Sequence, residues 1–168
     1  MSERTWSVLF LCMGNSARSI MAEALLRHVG GNRFVAHSAG SRPTWRVSHM
    51  ALETLARHGI VDERLRSKSW GEFTGPDAPA LDFVFTLCDV TAGEPCPEWP
   101  GDPVTANWSV ADPASADGGE LERLMAFRET FRILERRILL FINLPLHSLD
   151  RISLQAQLRD IGLQTGRD

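Results

Sequence analysis

The sequence around the first cysteine reads Cys12-Met13-Gly14-Asn15-Ser16-Ala17-Arg18-Ser19. It follows an apolar run from Trp6 to Leu11 and leads into a helical pattern that extends to Val29. Backbone N–H groups of a tight loop, and of the first turn of a helix, bind negative charge. Gly14 and Asn15 are residue types that tolerate the positive φ angles such a loop requires. This order of elements predicts a cradle for a tetrahedral oxyanion.

Two side chains of this segment are suited to chemistry. Cys12 stands next to a predicted helix N-terminus and the Ser19 hydroxyl, a setting that favours the nucleophilic thiolate. Arg18 carries a planar guanidinium that can clamp an oxyanion through paired hydrogen bonds. A cysteine at a strand end is, by itself, usually a small buried apolar residue. The surrounding loop makes a nucleophile the better interpretation of Cys12. The segment is not a nucleotide-binding P-loop, because the Gly-Lys-Ser/Thr ending of that motif is absent.

The composition predicts one domain over residues 1–168 and argues against several function classes. The chain is 43% hydrophobic with a net charge of −3, so it can build an ordinary core and carries no basic footprint for nucleic acid. Residues 135–137, which include two arginines, are interpreted as a solvated helix face. No signal peptide or membrane-spanning run is visible, and three cysteines do not suggest a secreted disulfide framework. We therefore expect a cytoplasmic protein without nucleic-acid or membrane partners.

Hydrophobic patterning alternates between strands and helices along the chain. Strands are predicted over 6–11, 34–39, 81–87 and 104–110, and helices over about 17–29, 48–58, 120–143 and 149–161. This order predicts a single-domain α/β fold, a four-stranded parallel sheet with helices on both faces, with about 147–168 as a C-terminal helical extension. Ligands of such sheets bind at the carboxyl edge, where Cys12, Cys88 and Asp112 each follow a different predicted strand.

The loop and the start of its helix resemble a known family. The pattern Cys-x-Gly-Asn-Ser-Ala-Arg-Ser, followed by Met21-Ala22-Glu23-Ala24, resembles the low-molecular-weight protein tyrosine phosphatase superfamily. Within it, the Asn-Ser-x-Arg-Ser version is similar to the arsenate reductases, and the resemblance extends from about Val8 to about Leu146. It implies that Cys12 is the nucleophile and that the oxyanion is held by Met13, Gly14, Asn15, Ser16, Ala17, Arg18 and Ser19.

The resemblance also implies a general acid. Asp112 precedes Pro113, and an Asp-Pro pair taken alone is more typical of a turn than of a catalytic carboxyl. Attack by a thiolate on an oxyanion nevertheless needs a proton donor for the departing oxygen. Because the family's general acid is an Asp-Pro aspartate in the corresponding place, the resemblance assigns this role to Asp112.

Cys88 and Cys96 decide between the two branches of the superfamily. Their C-x7-C spacing is too wide for a zinc knuckle and no histidine lies between them, so no metal is predicted. Cys88 alone is as consistent with packing as with reactivity, but two cysteines flanking a Gly- and Pro-containing segment suit thiol–disulfide exchange. The arrangement resembles three-cysteine arsenate reductases. It implies reduction of arsenate to arsenite through a Cys12/Cys88/Cys96 disulfide relay, restored by thioredoxin or a similar dithiol, with phosphate or sulfate as competing oxyanions.

A low-molecular-weight tyrosine phosphatase, which needs only Cys12, is the alternative. Trp45 favours it, because an aromatic residue lines the substrate cleft in that branch, although Trp45 could instead contact a redox partner. Two observations argue against it. The chain contains no tyrosine to hold an aromatic substrate, and Ala17 stands where phosphatases carry a second loop cysteine.

Support for the loop is also implied by the resemblance. Family members with a potassium site near the loop use residues like Asn15, Glu23 and Ser38. Here Lys68 lies in the segment that would supply further ligands, and we expect its ammonium group to replace the cation. A solvated surface lysine is the alternative. No cofactor is expected beyond the redox-active cysteines.

Overall fold

The computed structural model describes residues 4–88 and 97–164. These residues form a parallel sheet of four strands in the order β2-β1-β3-β4. The strands are β1 (Trp6–Cys12), β2 (Phe34–Gly40), β3 (Phe83–Thr86) and β4 (Val104–Asn107). The α-helices are α1 (Arg18–Gly30), α2 (His49–Arg57), α3 (Glu120–Ile142) and α4 (Arg151–Gly162). The predicted α/β fold is confirmed.

The alternation of strand side chains divides the core between the two faces of the sheet. Val8 and Phe10 belong to a cluster that contains side chains from all four α-helices just named. Leu9 and Leu11, on the opposite face, pack with side chains of a short 3-10 helix, Trp70–Phe73. Because both faces are covered, β1 is apolar at nearly every position.

The strand β4 ends earlier than its sequence pattern predicts. The predicted strand runs to Val110, whereas the structure ends it at Asn107. The Trp108 and Val110 N–H groups still donate to the Thr86 and Leu87 carbonyls, at 2.7 and 3.1 Å, but the register of these two bonds is no longer regular. The Asn107 side-chain oxygen accepts from the Ser109 backbone N–H at 3.0 Å, a local contact typical of a strand end. The backbone then leaves the sheet as the segment 108–112, which crosses the carboxyl edge and ends at Asp112.

Arg137 is buried, so the interpretation of residues 135–137 as a solvated face is wrong for this residue. Its exposed fraction is only 5%, while its neighbour Arg136 is exposed. Position 137 lies on the inner stripe of α3, between the buried Leu134 and Phe141. Helical spacing therefore placed Arg137 inside, and its charge is satisfied there by backbone carbonyl groups.

The longest helix, α3, is amphipathic and begins with acidic residues at Glu120 and Glu122, which suit a helix N-terminus. In the part of the chain that the structure describes, no helix combines the length and apolar character needed to cross a bilayer.

Candidate active site

The Cys12 loop (residues 12–19) is tied to the segment that follows β2. Backbone N–H groups of that segment donate to loop carbonyls in three pairs: Arg42 to Met13 (2.9 Å), Thr44 to Gly14 (3.0 Å) and Ser48 to Ser16 (2.9 Å). In a trans peptide the C=O and the N–H of the same unit point in opposite directions. Because these carbonyls point toward residues 42–48, the N–H groups of the same peptide units point away from them, as an anion-binding loop requires.

Two backbone positions allow the loop to close tightly. Asn15 has φ +46°, in the left-handed region that asparagine tolerates. Gly40, at the end of β2, is paired with Cys12 in the sheet, and a Cβ atom there would lie 2.4 Å from the Met13 carbonyl oxygen. The sequence indicated the special conformation of Asn15. It contained no signal for Gly40, whose requirement arises from the Met13 carbonyl of the Cys12 loop, a segment distant in sequence.

Cys12 ends β1 and is 2% exposed. Its Sγ lies 2.9 Å from the Ser19 Oγ, in the first turn of α1. The Asn15 Nδ2 donates to the same Ser19 Oγ at 2.8 Å, which leaves the Ser19 hydroxyl proton available to point toward the sulfur. The loop therefore offers the sulfur a hydrogen-bond donor of the kind that stabilises a thiolate.

A cleft of about 910 Å³ opens above Cys12. Its lining brings together three predicted chemical residues from three strand ends, namely Cys12, Cys88 and Asp112. The lining also contains five residues of the predicted oxyanion cradle: Met13, Gly14, Ser16, Ala17 and Arg18. Asn15 and Ser19, which were predicted with them, are fully buried and support the loop from within. Arg42 and Thr44, which the sequence did not predict as site residues, line the cleft as well.

Of the two later cysteines, Cys88 lies within the described residues. Cys88 is 6% exposed and lies just beyond β3, on the wall of the cleft that also contains Cys12. Cys96 lies outside the described residues. In the described ranges, no three His, Cys, Asp or Glu side chains gather as metal ligands.

Arg18 and Asp112 face one another in the cleft. The Arg18 Nη2 lies 3.9 Å from the Asp112 Oδ2, and its Nη1 donates to the Val110 carbonyl at 3.2 Å. The Asp112 carboxylate also accepts from the Ala114 N–H at 3.0 Å and from the Ser115 hydroxyl at 3.2 Å. Asp112 thus caps a turn, as its Asp-Pro sequence suggests, and its carboxylate also lines the cleft opposite Arg18.

A buried polar network supports the loop. Asn15 Nδ2 donates to the Ser38 Oγ at 2.9 Å, and the Ser38 hydroxyl in turn donates to Glu23 Oε1. The Lys68 backbone N–H donates to Asn15 Oδ1 at 2.9 Å. The Lys68 Nζ donates to the Arg66 carbonyl at 2.8 Å and lies 3.7 Å from Glu23 Oε1. Burial lowers the pKa of Lys68, although the nearby Glu23 carboxylate acts in the opposite direction.

The same network extends to Arg27 and Asp62, two residues that the sequence did not predict as part of the site. Arg27 Nη2 donates to Glu23 Oε2 at 2.6 Å and to the Ala36 carbonyl at 2.8 Å, and its Nη1 donates to Asp62. Burial acts to raise the pKa of Asp62, but hydrogen bonds from Arg27 and Arg64 outweigh it and the pKa is lowered. The i,i+4 spacing of Glu23 and Arg27 was the available signal.

Trp45 occupies an unusual position beside the cleft. It is 69% exposed and has φ +62°, and its N–H donates to the Ser67 hydroxyl at 3.0 Å. It does not belong to the lining of the cleft, so its place in the structure does not support the interpretation as an aromatic wall of the site.

Comparison with known proteins agrees with the fold. The low molecular weight phosphotyrosine protein phosphatase model matches residues 7–152. An arsenate reductase of Halalkalibacterium halodurans is 30% identical over 143 residues, covering 80% of this chain and 93% of that protein. A solved arsenate reductase in a phosphate-binding state superposes with a TM-score of 0.68 at 26% identity, covering 82% of this chain and 97% of its own.

A second solved structure, a thioredoxin-dependent arsenate reductase of Corynebacterium glutamicum, gives a TM-score of 0.55 at 26% identity. It covers 83% of this chain and 65% of its own. The match over residues 7–152 includes the Cys12 loop, the Asp112 turn and all four strands apart from Trp6, the first residue of β1. This chain therefore belongs to the low molecular weight phosphotyrosine protein phosphatase family.

Proposed function

We propose that this protein is an arsenate reductase, which reduces arsenate to arsenite at Cys12. The observation that supports this most strongly is that Cys88 lines the same cleft as Cys12. Ester hydrolysis needs one nucleophilic cysteine, whereas reduction of an oxyanion needs a second thiol to complete a disulfide. The relatives named arsenate reductase favour the same choice.

In the first step the Cys12 thiolate attacks the arsenic atom of arsenate. The N–H groups of the loop and the Arg18 guanidinium hold the oxyanion and stabilise its charge. An S–As bond forms, and one oxygen departs as water after Asp112 supplies a proton. Arsenic is still As(V) at this stage. Because no electrons have been transferred, a phosphatase would perform the equivalent step on a phosphate ester.

In the second step the Cys88 thiolate attacks the Cys12 sulfur. The S–As bond breaks, its electron pair goes to arsenic, and arsenite leaves as As(III). Two thiols have been oxidised to a Cys12–Cys88 disulfide, which balances the two-electron reduction of arsenic. Cys96 then attacks Cys88, which releases Cys12 and leaves a Cys88–Cys96 disulfide for thioredoxin or a similar dithiol to reduce.

Lys68 completes the proposal for the loop. Its ammonium group would take the place of a potassium ion and pair with the Glu23 carboxylate. The backbone N–H of Lys68 would hold the Asn15 side chain. The supporting observations are its burial, its 3.7 Å separation from Glu23 and the hydrogen bond to Asn15.

The experiment that tests the function needs no partner protein. The reduced chain is freed of reductant and mixed with arsenate or with phosphate, and its thiols are counted by mass after alkylation. Arsenate should remove two of the three thiols, and phosphate should remove none. Cys88→Ser is the matched control and should release no arsenite. Three thiols in both samples would overturn the proposal and leave a phosphatase acting through Cys12 alone.

A further inference from the structure

The segment 108–112, which ends at Asp112, packs against two helices on the side that faces away from the cleft. The side that faces the cleft carries the Asp112 carboxylate and the Val110 carbonyl, which accepts a hydrogen bond from Arg18. The opposite side of the segment contacts α3 and α4. The helix α4 spans Arg151–Gly162, so nearly all of it lies beyond residues 7–152, where the family match ends.

The contact from α3 is the buried Arg137. Its guanidinium donates to the carbonyls of Trp108 at 2.6 Å, Ser109 at 3.0 Å and Gln164 at 3.0 Å. Within the described part of the chain Arg137 forms no ion pair with a carboxylate, and burial lowers its pKa. Burial of a charge costs desolvation free energy unless hydrogen bonds compensate it, so the guanidinium fixes the positions of the carbonyl groups that accept from it.

The contact from α4 is close packing against the same backbone. The Trp108 indole Nε1 donates to the Leu158 carbonyl at 2.9 Å, and the indole ring is completely buried. A Cβ atom at Gly162 would lie 2.6 Å from the Asn107 carbonyl oxygen and 2.8 Å from the Trp108 ring. The helix α4 therefore sits against the end of β4 with no space for a larger residue at this point.

We propose that Arg137 and α4 position the segment 108–112, so that Asp112 faces Arg18 and the bound oxyanion. Arg137 is a positioning residue that acts through Asp112 and does not touch the substrate. This inference rests on the proposed role of Asp112 as general acid, but it does not depend on which oxyanion is the substrate. It gives the C-terminal helical extension a part in the reaction.

A double-mutant cycle separates this role from simple stabilisation of the fold. Arg137→Met should lower kcat by about tenfold to 100-fold with little change in KM, because misplacement by about 1 Å has effects of this size. In an Asp112→Asn background the same substitution should lower kcat by less than about twofold, since the group through which it acts is gone. Equal factors in both backgrounds would overturn the proposal. Arg136→Met, on the exposed side of the same helix, is the matched control.

The cycle is measured both with arsenate and with an aryl phosphate ester. Ester cleavage at Cys12 needs the same acid but no second cysteine. A protein that cleaves the ester and leaves arsenate unreduced would refute the proposed function, while the cycle on the ester would still decide the role of Arg137.

A second variant and a readout without turnover cover the case in which Arg137→Met does not fold. Gly162→Ala pushes α4 away from Trp108, whereas Gly75→Ala is the control because no atom lies within 4 Å of an added Cβ there. Hydrogen exchange of the amides of residues 108–112 should accelerate in Gly162→Ala and stay unchanged in the control. Unchanged exchange in Gly162→Ala would contradict the proposal.

Discussion

Lys68 Nζ lies 3.7 Å from Glu23 Oε1, and both side chains are buried beneath the Cys12 loop. The Glu23 carboxylate also accepts from Ser38 and from Arg27. Removal of the lysine would leave a buried carboxylate with less positive charge around it, and Ser38 would pass the disturbance on to Asn15. The arrangement links a buried ion pair to the geometry of the loop that we propose binds the oxyanion.

Lys68→Ala should therefore weaken oxyanion binding. We expect the KM for arsenate to rise about tenfold, equivalent to the loss of one buried charged hydrogen-bonding group. Potassium should restore part of the affinity if a cation can enter the space that the ammonium group leaves. Arg66→Ala is the control, since its side chain is exposed and its backbone carbonyl is retained. An unchanged KM in Lys68→Ala would show that the lysine does not support the loop.

The pKa of Lys68 can be measured directly because it is the only lysine in the chain. Selective 13C labelling of lysine gives one side-chain signal, which should titrate below the ordinary value of about 10.4. Between the lowered pKa and the ordinary one the unfolded chain binds more protons, so this group's contribution to stability rises with pH across that window. Glu23→Gln should lower the pKa further. A signal that titrates at or above the ordinary value would contradict the assignment.

Gly40→Ala should disrupt the loop without touching the substrate. The added Cβ would lie 2.4 Å from the Met13 carbonyl oxygen, so the loop backbone must move. We expect kcat/KM to fall by about 100-fold, because the reacting groups are displaced together. Binding of phosphate, followed by calorimetry, should weaken in parallel. The control is Gly75→Ala, and a Gly40→Ala variant with normal phosphate affinity would show that the loop tolerates the shift.

Asp62→Asn tests the outer part of the buried network. The Asp62 side chain is 8% exposed and bonded to Arg27, and the substitution should cost about 1–3 kcal/mol of unfolding free energy at pH 7. Because the folded state lowers the pKa of Asp62, its stabilising contribution is complete above the ordinary value of about 3.9 and is lost as pH falls through the lowered value.

Urea unfolding of the two proteins at a series of pH values provides the measurement. The difference between wild type and Asp62→Asn should narrow below about pH 4. Glu53→Gln, which removes an exposed i,i+4 pair with Arg57, is the control and should cost about 0.5 kcal/mol or less. A difference that stays constant down to pH 2 would exclude the ionised carboxylate as its source.

Cys96→Ser tests the relay. The variant should release one arsenite per chain, because Cys12 and Cys88 can still form their disulfide, and then stop. Arsenite release by the variant with thioredoxin and its reductase is compared with that of the wild type. Continued cycling at the wild-type rate would show that Cys96 takes no part.

The most predictable part of the molecule was the one that is continuous in sequence. An apolar strand, a tight loop and a helix follow one another within residues 6–30, so their order alone indicated the cradle and placed Cys12 at the carboxyl edge. The meeting of Cys88 and Asp112 at the same edge followed from the parallel order of the strands. Cys96 lies outside the described residues, so its part in the relay is still a prediction.

What the sequence could not provide depends on contacts between distant segments. Gly40 is required by the Met13 carbonyl of the Cys12 loop, and Asp62 becomes significant only through Arg27. The charge of Arg137 favours the surface, whereas its position on the buried stripe of α3 favours the core, and the structure follows the position. Three backbone carbonyls, from Trp108, Ser109 and Gln164, make its burial possible, and no periodic pattern shows them.

The burial of the only lysine gives the protein an internal reporter. An amine-directed reagent meets an ε-amino group whose side chain is only 8% exposed, so modification requires the surroundings of the Cys12 loop to open. The rate of ε-amine acylation therefore measures how often that opening occurs. Since Lys68 carries the only ε-amine of the sequence, one acylated peptide reports this rate without any substitution, and protection by a bound oxyanion can be read from the same reaction.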